Sequence, residues 1–175
     1  MSTDAIVMLR DDHKKIRKLI HTYRADSEQV LSSTGDGPQE TVAPGEIVRE
    51  LLHELTVHTF VEDEVMYPQV RQLVPESGSL VLEFHEEHHV ANVLAAELEG
   101  MKQDDESFDA KARVLMDAVE RHMDVEEKEW FPQVREALGR KVLQSIGSRM
   151  AEVRKLAPQR PHKPLLRKLA DAMAS

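Results

Sequence analysis

The stretch His58-Thr59-Phe60-Val61-Glu62-Asp63-Glu64-Val65-Met66-Tyr67-Pro68-Gln69-Val70-Arg71 returns later in the chain as His122-Met123-Asp124-Val125-Glu126-Glu127-Lys128-Glu129-Trp130-Phe131-Pro132-Gln133-Val134-Arg135. The two agree at His, Val, Glu, Pro, Gln, Val and Arg in one register, which helical composition alone does not produce. Residues four apart on a helix stand one turn above each other, so each His-x-x-x-Glu brings an imidazole and a carboxylate within reach of one ion. Both pairs, His58 with Glu62 and His122 with Glu126, fall on the apolar stripe of their segment.

Working outward, Asp11-Asp12-His13-Lys14 precedes an apolar stripe in an earlier segment, and Glu86-Glu87-His88-His89 precedes one between the two repeats. The chain therefore reads as two copies of a helix pair. Four apolar-periodic segments follow from it: about Asp4 to Leu31, Gly45 to Val74, Ser79 to Lys102, and Phe108 to Pro132. Between them lie Ser32 to Gly45, Pro75 to Ser79 and Gln103 to Ser107, rich in Gly, Pro, Ser and Asp. Short links between long helices force antiparallel neighbours.

The expected stripes are Leu9, Ile16, Leu19, Ile20 and Tyr23 in the first segment and Ile47, Leu51, Leu55, Val61 and Val65 in the second. The third uses Leu80, Phe84, Ala91, Leu94, Leu98 and Met101, and the fourth Val114, Leu115, Ala118, Val119 and Val125. Val134 to Leu156 forms a further amphipathic stretch, followed by a proline-rich linker through His162 and a short tail. The expectation is an all-α, antiparallel four-helix bundle over residues 1–134 with a C-terminal helical appendage and tail over 135–175.

Composition agrees with that class and narrows the chemistry. The 175 residues suit one domain. Aromatics are 4% of the chain and Leu, Ala, Glu, Lys and Arg fill the long segments. A formal net charge of −9 repels a phosphate backbone, so nucleic acid is not an expected partner. With no cysteine, any metal must be held by N and O ligands. No apolar run of roughly 18 residues or basic leader is present, so no membrane span is expected, and a cytoplasmic location rests on the missing signal alone.

Burying His and Glu together among Leu and Val costs several kcal/mol unless they are paired or metal-bound. Four inward histidines concentrate that cost at one level, and a metal pair resolves it. Iron, manganese and zinc all suit these ligands, and carboxylates bridge cations. In the third segment His88 lies roughly 85° from the stripe centre, His85 about 145° and His89 about 175°. His88 is thus the candidate ligand there, with His85 as a seventh if the helix is rotated, and His89 faces solvent. Asp63, Glu64 and Glu127 read as solvated neighbours, although Glu127 replaces Glu126 if the helix is locally distorted. Tyr67 and Trp130 close the end of the bundle, with a hydrogen bond from the Tyr67 hydroxyl to a group beside the metal as the alternative. His21, His53 and His162 read as surface or packing residues, and the methionines as core filler.

The doubled His-x-x-x-Glu-acid-x-x-x-aromatic-Pro signature resembles the hemerythrin-like family, the hemerythrin HHE cation-binding domain, over roughly Asp4 to Val134. The resemblance implies an up-and-down bundle and two iron ions with a bridging oxo or hydroxo oxygen. The implied ligands are His13, His58, Glu62, His88, His122 and Glu126, with His85 as the extra one. Oxygen-carrying members have two histidines four apart on the third helix and an aspartate five after the last histidine. Here Phe84 stands at the first of these places, and Glu126 follows His122 by four. The broader bacterial branch is closer, and it handles oxygen, nitric oxide, peroxide or iron. Two octahedral irons bridged by both glutamates and one oxygen leave about two positions open, or about one if His85 binds. The functions expected are binding or sensing of O2 or NO, decomposition of peroxide or nitric oxide, and iron storage or delivery.

Overall fold

The computed structural model describes residues 4–32 and 43–161. Most of the first linker, His162 and the tail lie outside these residues. Among the described residues all regular secondary structure is helical, and the long helices stand side by side as a four-helix bundle. The first rod is α1 (Ala5–Ser32). The second is α2 (Pro44–Val61) carried on by α3 (Tyr67–Leu73), and the third is α4 (Gly78–Glu99). The fourth is α5 (Phe108–Val125) carried on by α6 (Phe131–Arg154). Pro44 at the start of α2 suits a first helical turn, where its missing N–H would have no partner in any case.

The second and fourth rods share a local device. Residues Glu62–Met66 and Glu126–Trp130 form π-turns, in which Tyr67 N–H bonds to Glu62 C=O and Phe131 N–H to Glu126 C=O. Each turn runs directly into proline, Pro68 or Pro132, which has no N–H to offer and crowds a carbonyl one turn back. Widening the helix by one residue relieves that crowding. It also shifts the phase by about 100°, so that Glu62, Val65, Met66 and Tyr67 are all buried.

The expected stripes hold in the first two rods, apart from Leu19, which is half-buried. They need correcting in the last two. Val114 is 57% exposed, because α5 turns Phe108, Ala112, Leu115, Met116 and Val119 inward instead. In α4 the inward set is Val81, Phe84, His88, Ala91, Ala95 and Leu98, leaving Leu80, Leu94 and Met101 at the edge.

The core is split in two. One apolar cluster gathers Ile6, Leu9, Val61, Phe84 and Trp130, and the other gathers Ile16, Ile20, Leu51, Leu115 and Met123. Gly139 has a φ of 67°, in the left-handed region that a side chain resists, and the chain kinks there within α6. Beyond the kink Leu143, Ile146 and Met150 enter the first cluster, so this stretch shares the core with the bundle. No helix of the described residues is long and apolar enough to cross a membrane.

Candidate metal centre

Between the two apolar clusters lies one polar layer, and each rod contributes to it. His13 of α1 sits between Leu9 and Ile16, His58 of α2 between Leu55 and Val61, His88 of α4 between Phe84 and Ala91, and His122 of α5 just beyond Val119. Glu62 and Glu126, the first residues of the π-turns, complete it, and both are fully buried. The sequence spacing is realised as contact: His58 Nε2 is 3.1 Å from Glu62 Oε2, and His122 Nε2 is 3.6 Å from Glu126 Oε2. Across the bundle His13 Nε2 stands 3.3 Å from Glu126 Oε2, and His88 Nε2 stands 3.4 Å from Glu62 Oε2.

These six residues fall into two groups, each able to hold a metal ion. His13, His58, Glu62 and Glu126 form one, and Glu62, His88 and His122 the other, each with its donor atoms within 4.8 Å of one another. Donors bonded to one ion at about 2.1 Å lie about 3 to 4 Å apart, so little contraction is needed. Buried polar atoms almost always find a hydrogen-bond partner. Here His13 Nε2, both His58 nitrogens, both Glu62 oxygens and Glu126 Oε2 have none. A bound cation satisfies such a set, and the N and O donors fit iron, manganese or zinc.

The titration of the layer points the same way. Burial, reinforced by the charge of Glu126, pushes Glu62 well above the ordinary carboxylate range. Burial also acts to raise Glu126, but the charges of His122 and His13 overcome it and hold Glu126 low. Burial brings His58 down to about 4. For His13 burial pulls downward and is outweighed by its contact with Glu126, so this imidazole is raised. Without a cation the layer is thus forced into unlike protonation states.

A second layer orients the imidazoles. Glu127 takes His13 Nδ1 at 2.7 Å, Asp63 takes His88 Nδ1 at 3.0 Å, and Glu87 takes His122 Nδ1 at 2.7 Å. Asp12 Oδ2 lies 3.8 Å from His58 Nδ1, an ion-pair distance too long for a hydrogen bond. The four pairs run in a ring: the acid of the first rod serves the histidine of the second, the second serves the third, the third the fourth, and the fourth the first. A carboxylate on Nδ1 fixes the ring and leaves Nε2 for a metal.

Asp63 and Glu127 are therefore not merely solvated neighbours, and Glu127 does not replace Glu126. Their signal was in the repeat, where an acid follows the glutamate in both copies, as one precedes the histidine at Asp12 and Glu87.

The third layer holds the second. Arg17 Nη1 donates to Glu127 Oε1 at 2.5 Å, and Arg154 Nη1 donates to Asp12 Oδ1 at 2.9 Å, with a second Arg154 contact to Asp12 Oδ2. Burial works to raise Asp12, yet His58 and Arg154 hold it below the usual range. Arg154 belongs to the amphipathic C-terminal stretch that the sequence presents only as a helical appendage.

His85 stands outside both groups. Its side chain is 59% exposed and its Nδ1 lies 3.1 Å from Asp63 Oδ1. The observed stripe of α4 is rotated toward His88, which lies about 30° from its centre, but His85 is still about 90° away. It reaches the outside of Asp63 rather than the layer. His89 is exposed.

Tyr67 is brought in by the π-turn. Its hydroxyl donates to Glu126 Oε1 at 2.9 Å and lies 3.2 Å from His88 Nε2 and 3.4 Å from His122 Nε2. Burial and the charges of Glu126 and Glu62 push the phenol well above its ordinary range. Trp130 is fully buried beside Tyr67, Phe84 and Phe131.

Comparison with known proteins agrees with this geometry. The family model described as hemerythrin HHE cation binding domain matches residues 4–134. A solved structure of a hemerythrin HHE cation binding domain-containing protein from Mycobacterium kansasii superposes with a TM-score of 0.64 at 23% identity, covering 87% of this chain and 86% of that one. At that identity the likeness speaks for the fold. The chain has no significant match among curated proteins.

Proposed function

This chain belongs to the hemerythrin HHE cation-binding domain family, and from that membership we propose that its buried layer holds two iron ions and binds or senses O2, NO or a reactive oxygen species. One observation carries the reading: Glu62 stands in both ligand groups, so two neighbouring cations would share its carboxylate. His13, His58 and Glu126 would complete one position, and His88 and His122 the other. An iron pair supplies a redox-active centre with room for a small ligand. The second position has fewer protein donors, which makes it the one for exchange.

The chain's own part is to orient and to exclude. The ring of carboxylates aims the imidazoles, and Phe84, Trp130 and Phe131 keep water from one end of the layer. Iron content per chain and the visible spectrum of oxidised protein, before and after dithionite and air, test the centre. Stopped-flow mixing of reduced protein with O2 or NO should produce a new charge-transfer band. An unchanged spectrum in iron-loaded protein counts against the reading.

A second reading, decomposition of peroxide or nitric oxide, is favoured by Tyr67. Its hydroxyl, protonated at neutral pH as any phenol is, lies beside His88 and His122. That supplies a proton at a defined atom, which such chemistry uses. Turnover of hydrogen peroxide that disappears in His58→Ala and Glu126→Ala, and falls in Tyr67→Phe at unchanged iron content, would select this reading. Turnover indifferent to all three would remove it.

A further inference from the structure

A cavity of about 250 Å³, bounded by α2, α4 and α5, has His58, His88 and His122 in its lining. A less visible irregularity lies on His58 itself. Three of the four imidazoles give Nδ1 to a carboxylate, at 2.7 Å for His13, 3.0 Å for His88 and 2.7 Å for His122. His58 Nδ1 has no hydrogen-bond partner, although the residue is buried. Buried polar groups nearly always have one, so the gap calls for a cause.

The acid that should serve His58 is Asp12, and Arg154 holds it. Oδ2, the Asp12 oxygen 3.8 Å from His58 Nδ1, accepts from Arg154 Nη2, and Oδ1 accepts from Nη1 at 2.9 Å. Two-point pairing of a guanidinium with a carboxylate fixes its plane as well as its position. Arg154 is carried there by α6, which turns at Gly139 and seats Leu143, Ile146 and Met150 in the first apolar cluster. It lies beyond residue 134, where the match to the family ends. The grip on Asp12 therefore comes from outside the part of the chain that the family model describes.

We propose that Arg154 is a positioning residue: by holding Asp12 off His58 it keeps that imidazole a weaker donor than the other three, and so raises the reduction potential of the iron that His58 serves. A carboxylate hydrogen-bonded to Nδ1–H makes a ring more basic toward a metal at Nε2, and a more basic ligand favours ferric over ferrous iron. His13, His88 and His122 have that push, and His58 lacks it. The inference rests on the iron reading above.

The test uses the full chain loaded with iron and, separately, with zinc, whose diamagnetism lets imidazole N–H protons be followed by NMR. Arg154→Gln should lower the midpoint potential of one iron by about 59 mV, a ten-fold change in the ferric-to-ferrous ratio, at unchanged iron content. In the zinc form the His58 N–H proton should move downfield to join those of His13, His88 and His122. Asp12→Asn separates this effect from the loss of a charge. In that background Arg154→Gln should change the ratio less than about two-fold, because no acid is left to release. If Arg154→Gln loses iron, Arg154→Lys takes its place; it keeps the charge without the two-point grip and should shift the potential in the same direction. An equal shift in both backgrounds, or a His58 proton that stays where it was, overturns the proposal and leaves the iron centre standing. A native chain that retains no iron after anaerobic loading with ferrous salt removes both.

Discussion

The two halves of the polar layer are built from the same repeat and end up unlike. In one half His13 and His58 meet with ring centroids 4.8 Å apart, and in the other His88 and His122 meet at 4.7 Å. Phe131 stacks on His13 at 5.7 Å, and its counterpart in the repeat, Tyr67, lies 5.2 Å from His88. One oxygen atom separates the two aromatic caps. The first half has both glutamates, and Arg154 of the C-terminal stretch locks its outer acid, Asp12. The second half has Glu62, a phenol and a cavity. An enclosed position suits retention of a metal, and an open one suits exchange of a ligand.

The comparison fails altogether if the halves do not share Glu62. Glu62→Ala should therefore have the largest effect, with cation content per chain falling from about two to near zero. His122→Ala should empty the open half and leave about one cation in the enclosed half. Metal analysis of desalted protein checks both, and equal losses in the two variants would mean that the halves are not separate.

A smaller effect is expected from making the caps alike. Tyr67→Phe gives the open half the cap of the enclosed one. Iron content should hold while the rate of reaction of reduced protein with O2 changes by about 10- to 100-fold in stopped-flow. Phe131→Tyr should leave that rate close to unchanged.

The outer acids differ in exposure, and stability should follow. Arg154→Ala leaves the buried Asp12 without its cation and should cost about 1 to 3 kcal/mol in urea unfolding. Glu87, whose side chain is 42% exposed, should cost less than about 1 kcal/mol when changed to Gln, and should show itself instead as weaker metal binding.

The smallest effect is one of pH on the metal-free chain. Glu126, Asp63, Glu87 and Glu127 are held low in the fold. They contribute stability above the ordinary carboxylate range, and it is lost as pH falls through their lowered values. Glu62 is raised, so its contribution is present in acid and lost as pH rises through its folded value. A cation that takes Glu62 as carboxylate removes this conflict at neutral pH. The gain in Tm on metal loading should thus be greatest near pH 7 and narrow toward roughly pH 4.

Much of this was legible in the sequence because helical period is a local property. The inward positions of His13, His58, Glu62, His88, His122 and Glu126 follow from their place among Leu, Val and Ile on one stripe. The same logic misjudged α4 by about 55°, because Leu80, Leu94 and Met101 weighed the stripe centre away from His88. It placed Val114 inside for a similar reason, since apolarity at the edge of a stripe does not say which flank meets the neighbour. For Tyr67 the sequence left two places open, the end of the bundle or a hydrogen bond toward the site, and the π-turn, which shifts the phase beyond Glu62–Met66, brings its hydroxyl to Glu126.

The amino-acid order by itself determined the repeat, the four rods and the set of donors that each turns inward, since these need only spacing along one helix. Which acid serves which histidine was decided by the tertiary structure, because those partners come from different rods and no periodicity carries across them. Glu127 reaches His13 from the fourth rod, more than a hundred residues along the chain, and Arg154 reaches Asp12 only after the chain turns at Gly139. The same holds for the unlikeness of the halves. A repeat writes both alike, and only packing against different neighbours closes one and leaves the other open.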